Sequence, residues 1–194
     1  MRELRFEELT LDQKLGMVIC GHATIWRDAE ANYQYTLEKI RKRELGCVWV
    51  NPTFPNAQKM LDEIRAAADY PIVIVTDAES GIGEYAIGQH GSLGLTNSTK
   101  HAYTFGKVTG IVARKMGYNM VCDPVVDMAE QNYPCNTVTR SLGGDPKRVS
   151  EMAIAISRGM HDAGVLSVAK HYPSVPVSSI RIWRKAFRSA TVRI

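Results

Sequence analysis

The stretch that decides the fold is GVLSVAKHYP, residues 164–173. An apolar run at residues 165–169 lies between a glycine and a polar turn, which is typical of a strand buried on both faces of a parallel sheet. Lys170 and His171 follow at the carboxyl end of that strand. Ligands bind at this end of the strands in open α/β sheets and in α/β barrels. The stretch therefore predicts a parallel strand with a candidate binding pair at its end.

Four earlier apolar runs share this arrangement of a short strand followed by a polar loop. They lie at residues 15–20, 47–50, 72–75 and 118–122. Amphipathic helical patterns alternate with them, and the predicted helix starts are Asp28, Asn56, Ser98 and Asp145. Residues 82–97 show little periodicity and exceed a usual connection, so they are predicted to be a functional loop. The alternation predicts an α/β fold with about five parallel strands and helical crossovers.

Polar side chains follow each predicted strand. They are His22, Asn51, Asp77 with Glu79, Asp123 with Asp127, and Lys170 with His171. Because the carboxyl ends of parallel strands lie on one side of a sheet, we expect these side chains at a common rim. Plainer roles stay open: Asp123 can bracket the turn before Pro124, and Arg140 can form a surface salt bridge of little value. A lysine at the end of a buried strand needs a partner.

The composition is that of an ordinary globular chain, with 45% apolar and 23% charged residues among 194. This length favours one domain with a sizeable core. The first ten residues mix charges with single apolar residues, and no apolar run of about 18 residues follows, so neither a signal peptide nor a membrane span is predicted. We therefore expect a cytoplasmic protein with no membrane partner.

The net charge of +4 comes from the carboxyl-terminal end of the chain. Residues 175–194 hold five basic residues and no acidic one, which leaves 19 basic against 20 acidic residues before them. This segment has no recognisable nucleic-acid-binding motif. No nucleic-acid partner is therefore predicted.

The cysteines and one glycine-rich segment bear on metals and cofactors. Cys20, Cys47, Cys122 and Cys135 are irregularly spaced without a Cys-x-x-Cys motif, which favours buried free thiols over disulfides or zinc ligands. Residues 81–86, GIGEYA, match the G-x-G-x-x-A dinucleotide pattern, but no helix opens at once and no strand-borne acidic residue follows about twenty positions later. A dinucleotide-binding oxidoreductase is therefore a third-ranked hypothesis, and no metal or cofactor is predicted.

Five segments, in the same order, resemble signatures of one enzyme family. They are TLDQKLG at 10–16, TDAESG at 76–81, PVVD at 124–127, TRSLGGDP at 139–146 and AKHYP at 169–173. From Leu9 to about Pro173 the chain is similar to the amino-terminal domain of glycoside hydrolase family 3. The resemblance implies a TIM-type (β/α) barrel and an enzyme of the β-N-acetylhexosaminidase or β-glucosidase type.

The resemblance also implies that Asp77, Arg140, Lys170 and His171 bind hydroxyls of the sugar at the cleaved bond. A pyranose offers donors and acceptors around its edge, so an aspartate that accepts and cations that donate suit it. The implied partner is a carbohydrate, a β-glycoside of N-acetylglucosamine or glucose. Ser80 replaces a glycine and Ile82 stands near the arginine position of the hexosaminidases, which leaves the choice between these sugars open.

The catalytic groups of the family have no counterpart in this sequence. Retaining glycosidases need a carboxylate nucleophile and a proton donor on opposite sides of the bond. The resemblance places them on an aspartate of a later strand and on a histidine after strand 5, but the chain leaves the family pattern at Ser174. No catalytic residue is therefore assigned, and Asp77 is not given that role. The predicted function is an O-glycosyl hydrolase domain that is inactive alone, and the alternative is a non-catalytic sugar-binding or interaction module.

The predicted domain boundary lies at the same point. Residues 1–174 are predicted to form a partial family 3 domain, and residues 175–194 a basic non-family tail from a truncated or frame-shifted reading frame. A family barrel has eight strands, whereas five are visible here, so an incomplete barrel with unpaired edges at strands 1 and 5 is expected. We expect self-association through these edges.

Overall fold

A computed structural model describes residues 5–23, 29–129 and 138–172 of the chain. Within these ranges five strands form one parallel sheet in the order β1-β2-β3-β4-β5. They are β1 (Cys20–His22), β2 (Cys47–Trp49), β3 (Val73–Thr76), β4 (Met120–Val121) and β5 (Leu166–Ser167). The helices in these ranges are α1 (Leu11–Gly16), α2 (Ala29–Arg41), α3 (Ala57–Ala67), α4 (His90–Leu95), α5 (Thr99–Met116) and α6 (Pro146–Asp162). Short 3-10 turns cover Phe6–Glu8, Gly83–Tyr85 and Val138–Arg140.

The order and direction of the strands confirm the predicted α/β fold. Helix α2 connects β1 to β2, α3 connects β2 to β3, α4 and α5 connect β3 to β4, and α6 connects β4 to β5. The described sheet is not closed into a barrel, because no pairing joins β1 to β5. Since all of its strands run in the same direction, their carboxyl ends lie along one side of the sheet.

Side-chain caps mark the starts of three helices, including the predicted starts at Ser98 and Asp145. At α1, Thr10 and Gln13 form a reciprocal capping box, in which each side chain accepts a hydrogen bond from the backbone N–H of the other. At α6, Asp145 accepts a hydrogen bond of 2.7 Å from the backbone N–H three residues later, and a proline follows it. Ser98 caps α5 in the same way. These caps satisfy backbone donors that the first helical turn leaves free.

The other two predicted helix starts have different outcomes. Asn56 directly precedes α3, but it adopts a left-handed conformation with φ of 68° and its side chain makes no capping hydrogen bond. Asparagine tolerates this conformation better than most residues, so it turns the chain into the helix without capping it. Asp28, the predicted start of α2, lies outside the described residues.

The predicted first strand at residues 15–20 is wrong in its position. Helix α1 continues to Gly16, and the Met17 N–H still donates to the Gln13 carbonyl at 3.0 Å. The capping box therefore draws the first part of the apolar run into a helix, and the strand begins only at Cys20. Val18 and Ile19, predicted to be buried in a strand, are 85% and 53% exposed.

The predicted loop at residues 82–97 contains a 3-10 turn and helix α4, which the sequence pattern did not predict. Glycines at positions 91 and 94 weaken any helical pattern. In the structure they allow a close approach, because a Cβ on Gly94 would collide with the Leu142 carbonyl and one on Gly91 would lie 2.8 Å from the Thr139 carbonyl oxygen. Helix α4 thus packs directly against the segment that carries Arg140.

The last strand is shorter and more exposed than predicted. It covers Leu166–Ser167 instead of residues 165–169, and Leu166 is 54% exposed. The prediction of burial on both faces was wrong because β5 is an edge strand of the described sheet. Strand β1 lies at the opposite edge, so both edges are unpaired within the described residues.

The cysteines that the structure describes are free, as predicted, but they are not buried. Cys20 is exposed, and Cys47 and Cys122 are partly buried. Cys20 and Cys47 lie opposite each other on β1 and β2, with 2.9 Å between their sulfur atoms. The exposure of Cys20 follows from its place on the edge strand β1. Cys135 lies outside the described residues.

The hydrophobic core lies between the sheet and one face of its helices. Its buried aliphatic side chains on central strands and on α3 include Val48, Ile74, Val121, Leu61 and Ile64. Helices α5 and α6 pack so closely that a Cβ on Gly106 would collide with the Ile156 carbonyl. Among the described helices there is none with the length and apolar character needed to cross a membrane. The packed layers hold the strand ends in place.

Candidate functional site

Lys170, just beyond β5, reaches two carboxylates that follow β3. Its ammonium contacts Asp77 Oδ1 and lies 2.7 Å from Glu79 Oε1. The lysine side chain is only 15% exposed, so it needs this compensation. The partner expected for a lysine at the end of a buried strand is therefore supplied by the residues that follow β3.

Arg140 completes the cluster from the turn that packs against α4. Its Nε and Nη2 atoms donate to the two oxygens of Glu79 at 2.5 and 2.6 Å, a bidentate arrangement. Glu79 thus lies between Arg140 and Lys170. We call Asp77, Glu79, Arg140 and Lys170 the polar rim.

The protonation states of the polar rim follow from these contacts. Burial by itself raises the pKa of Glu79, but hydrogen bonds from Arg140 and Lys170 outweigh it and bring the pKa to about 2. Burial lowers the pKa of Lys170, yet its bonds to Asp77 and Glu79 raise the pKa overall. The bond to Glu79 likewise raises the pKa of Arg140. All three groups are therefore charged at neutral pH.

Asp77 is the most open member of the polar rim, with 47% of its side chain exposed. Its Oδ2 accepts a hydrogen bond of 3.1 Å from the indole Nε1 of Trp49, which ends β2. The Trp49 ring in turn lies against His22, which ends β1, with 4.2 Å between ring centroids. The exposed carboxylate is therefore held from two sides while facing solution.

His171 lies beside the polar rim but pairs with a different carboxylate. Its Nδ1 is 2.5 Å from Asp127 Oδ2, and the Asp127 side chain is only 8% exposed. Residues 124–127 run alongside Lys170, since the Lys170 N–H donates to the Pro124 carbonyl at 2.9 Å. The Lys170–His171 peptide bond is cis. Asp127 and the backbone pairing fix His171 at the carboxyl end of β5.

Asp123 and His90 form a second pair behind the polar rim. Both side chains are completely buried, and His90 Nε2 lies 3.1 Å from Asp123 Oδ1, a polar contact without good hydrogen-bond alignment. Burial raises the pKa of Asp123 despite this contact with His90. Asp123 does precede the turn at Pro124, but its burial against His90 was not predicted. No sequence signal marked His90, because it lies on the helix that the pattern did not show.

The structure brings together three of the four predicted site residues. Glu79 links Arg140 to Lys170, Lys170 contacts Asp77, and His171 follows Lys170 directly in the chain. Trp49 was missed, although its position as the last residue of β2 could have indicated it. Asn51 serves its own loop instead, accepting from the Thr53 N–H and hydroxyl at 2.9 and 2.8 Å.

The site is an open rim, and a cavity lies elsewhere. A cavity of about 480 Å³ beside β1 is bordered by α1 and α2, and its apolar lining includes Leu15, Ile19, Tyr35 and Leu45. It contains none of the four polar-rim residues. Among the described residues no group of three histidine, cysteine or acidic side chains could hold a metal ion. The polar rim instead alternates hydrogen-bond donors and acceptors, which suits a ligand rich in hydroxyl groups.

Comparison with known proteins shows the family that this chain resembles. The sequence model described as "Glycosyl hydrolase family 3 N terminal domain" matches residues 10–179. Beta-hexosaminidase LpqI of Mycobacterium tuberculosis is 37% identical over 83 residues, which is 42% of this chain and 21% of the relative. A beta-hexosaminidase of Stenotrophomonas maltophilia is 29% identical over 149 residues, which is 66% of this chain and 42% of the relative. The chain thus matches less than half the length of either relative.

Solved structures of similar fold agree with the observed architecture. A glycoside hydrolase family 3 beta-N-acetylglucosaminidase from Paenibacillus is 25% identical with a TM-score of 0.70, over 86% of this chain and 34% of that one. A beta-N-acetylhexosaminidase from Beutenbergia cavernae is 24% identical with a TM-score of 0.69, over 86% and 55% of the two chains. At such identities the likeness concerns the fold.

Proposed function

Because the chain belongs to glycosyl hydrolase family 3 through its N-terminal domain, we propose that its polar rim is a sugar-binding subsite. The domain would bind β-linked N-acetylglucosamine or glucose residues, the substrates of an O-glycosyl hydrolase. The proposal covers Asp77, Arg140, Lys170 and His171 as substrate-binding residues. The similarity to beta-hexosaminidases supports a glycosidase origin.

The observation that supports the proposal is that the Lys170 side chain contacts two carboxylates at once. Its ammonium contacts both Asp77 and Glu79, which joins the ends of β3 and β5 into one polar surface. Asp77 remains about half exposed, so its carboxylate can accept from sugar hydroxyls. Charge-assisted hydrogen bonds of this kind are stronger than neutral ones and fix the orientation of a ligand. This arrangement suits binding of a polyhydroxy ring.

The same contacts argue against a catalytic role for Asp77 and Glu79. A nucleophilic carboxylate must be free to form a covalent bond with the sugar, and a proton donor needs a raised pKa. Glu79 is held by two cations that keep its pKa at about 2, so it is a poor proton donor. Both oxygens of Asp77 already accept from protein donors. We therefore assign no catalytic residue within the described residues and expect no turnover by this chain alone.

The second candidate is a non-catalytic sugar-binding module. It is favoured by the same observation, a complete donor and acceptor set without a free carboxylate pair among the described residues. A dinucleotide site stays a prediction and gains no support, because residues 81–86 contain the 3-10 turn Gly83–Tyr85 and do not open a long helix.

Calorimetric titration with N-acetylglucosamine and with glucose tests the sugar-binding proposal. We expect saturable binding that Asp77→Asn weakens by about 10-fold, since a charge-assisted acceptor is lost. Lys42→Ala is the matched control, because Lys42 pairs with Glu38 on exposed α2. Unchanged affinity in a folded Asp77→Asn protein would overturn the proposal. Release of chromophore from β-glycosides separates the two candidates: none is expected, and release would favour an active glycosidase.

We also propose that the free edges of the sheet drive self-association. The outer edges of β1 and β5 are unpaired within the described residues, and unpaired edges readily pair with other chains. Val18, at 85% exposure, and Leu166, at 54%, add apolar surface at the two edges. Sedimentation velocity should show species larger than a monomer that increase with concentration. A single monomeric species at all concentrations would contradict this.

We also propose that the family domain ends at residue 174 and that residues 175–194 form a separate tail. Residues 173–194 lie outside the described part of the chain. If residues 175–194 are a non-family tail, removing them should leave the affinity for sugar unchanged. A loss of affinity on deletion, measured by the same titration, would assign the tail to the binding domain.

A further inference from the structure

Trp49 ends β2 at the point where the polar rim begins. It is paired with Val75 in the parallel register, and Asp77 follows two residues later. This register brings the indole Nε1 within 3.1 Å of Asp77 Oδ2. Trp49 was not among the residues expected to bind sugar, so its contact is a separate feature of the site.

The two oxygens of Asp77 have different protein donors. Lys170 donates to Oδ1, and Trp49 donates to Oδ2. Each carboxylate oxygen has about two acceptor directions, so one direction on each oxygen remains for a ligand. A carboxylate held at both oxygens cannot rotate freely. Its plane is set before a ligand arrives, which removes part of the ordering cost of binding.

The indole that holds Asp77 is itself held by a ring contact. His22 lies opposite Trp49 in the register of β1 and β2, with ring centroids 4.2 Å apart and planes tilted by 33°. Partial burial lowers the pKa of His22, outweighing its backbone hydrogen bond and the nearby Asp77. The imidazole is therefore neutral at pH 7. Lys170, and not His22, supplies the positive charge that pairs with Asp77. The ends of three strands thus form a chain from His22 through Trp49 to Asp77.

We propose that Trp49 is a positioning residue of the sugar site. Its N–H fixes the Asp77 carboxylate so that both oxygens present a free acceptor direction to two neighbouring hydroxyl groups of one pyranose. This inference rests on the proposed function. It specifies the ligand feature that the site would recognise, a pair of adjacent free hydroxyl groups. Trp49 acts through Asp77 and is not itself a catalytic residue.

The substitution Trp49→Phe isolates the role of the N–H, because phenylalanine keeps an aromatic ring against His22. We expect about 10-fold weaker binding of N-acetylglucosamine or glucose. In an Asp77→Asn background the same substitution should have little further effect, because the two residues act as one unit. Tyr103→Phe is the matched control, since it removes a hydrogen bond of 2.8 Å to the carboxylate of Asp162, outside the polar rim. The control should bind sugar as the unchanged protein does.

A spectroscopic readout separates positioning from simple packing. The indole N–H signal of Trp49 in a ¹⁵N–¹H spectrum is identified by its loss in Trp49→Phe. It should shift in Asp77→Asn and on addition of sugar. Unchanged affinity in Trp49→Phe together with weaker binding in Trp49→Ala would mean that only ring bulk matters, and would overturn the inference.

The same spectra distinguish failure of this inference from failure of the proposed function. If the unchanged protein binds neither sugar, the proposed function fails, and with it the ligand assignment. The indole signal still decides the contact: a shift in Asp77→Asn supports the positioning of this carboxylate, and an unmoved signal overturns it. If sugar binds and the indole signal responds to neither change, only the inference about Trp49 fails.

Discussion

Two regions of the molecule differ in how their side chains are paired. At the carboxyl ends of β3 and β5, Lys170 contacts Asp77, which lies 93 positions earlier in the chain. Beside β1, in contrast, the side chains of Val18 and Ile19 are largely exposed. In the polar rim each charged group has an opposite charge within contact distance. The β1 edge, defined here as Leu15, Val18 and Ile19, offers apolar surface beside a cavity. This difference underlies our proposals that the polar rim binds a small polar ligand and that the edge pairs with another protein surface.

The largest effect should come from removing the cation of the polar rim. Lys170→Met leaves Asp77 and Glu79 close together without a shared cation, so we expect a loss of about 2–3 kcal/mol in the free energy of unfolding. Sugar binding should be lost as well. Urea unfolding and calorimetric titration measure the two effects.

Lys42→Met provides the comparison for that experiment. Lys42 and Glu38 are both more than half exposed, so this pair should contribute less than about 0.5 kcal/mol. Equal losses in the two variants would show that the polar rim is no more strongly coupled than an ordinary surface pair.

A second large effect is expected from the support behind Arg140. Gly94→Ala would drive a methyl group into the Leu142 carbonyl, which should cost about 1–3 kcal/mol through overpacking. Displacement of the segment should also weaken sugar binding, because Arg140 holds Glu79. Thermal unfolding with titration checks both. Full stability with full affinity would mean that α4 does not support the polar rim.

The acid dependence of stability should report on Glu79. Its pKa falls from 4.5 to about 2 on folding. Its contribution to the free energy of unfolding is therefore fully present above about pH 4.5 and is lost as the pH falls toward 2. After allowance for partial exposure we expect about 1–2 kcal/mol. Asp123 acts in the opposite direction, because burial raises its pKa and its protonation therefore stabilises the folded state as the pH falls.

Glu79→Gln separates these two opposing contributions. Urea unfolding of the unchanged protein and of this variant at several pH values between 6 and 2.5 gives their difference in stability. That difference should shrink as the pH falls. A difference that stays constant over this range would contradict the assignment of Glu79 as a charged partner of Arg140 and Lys170.

The smallest effect on stability should come from the β1 edge. Val18→Lys changes a side chain that is 85% exposed, so the free energy of unfolding should change by less than about 0.5 kcal/mol. Self-association should nevertheless decrease, because a charged lysine at a strand edge opposes pairing with another chain. Sedimentation velocity checks this. Unchanged association would mean that the β1 edge does not contribute, and self-association would then be assigned to the β5 edge alone.

Much of the fold could be predicted because local signals and tertiary structure agree. Asp145 with a following proline marked the start of α6, and the short apolar run before Asp77 marked β3. The first strand was misplaced where two local signals overlapped, since the Thr10 capping box extends a helix into an apolar run. Helix α4 was missed because its glycines serve a packing need that becomes visible only in three dimensions.

The candidate site could be predicted only in part for a related reason. The order of parallel strands indicated that Asp77 and Lys170 would share one side of the sheet. The partner of Arg140 could not be read from the sequence, because Glu79 lies 61 positions away and its pairing depends on how the intervening helices pack. The burial of His90 against Asp123 and the contact of Trp49 with Asp77 also depend on that packing.

Chemical-shift changes on addition of N-acetylglucosamine test the central claim most directly, since they compare the two regions in one experiment. Backbone amides at Asp77, Glu79, Arg140, Lys170 and His171 should shift, while those at Leu15, Val18 and Ile19 should not. Shifts centred on the β1 edge, or no shifts at saturating sugar, would contradict the account.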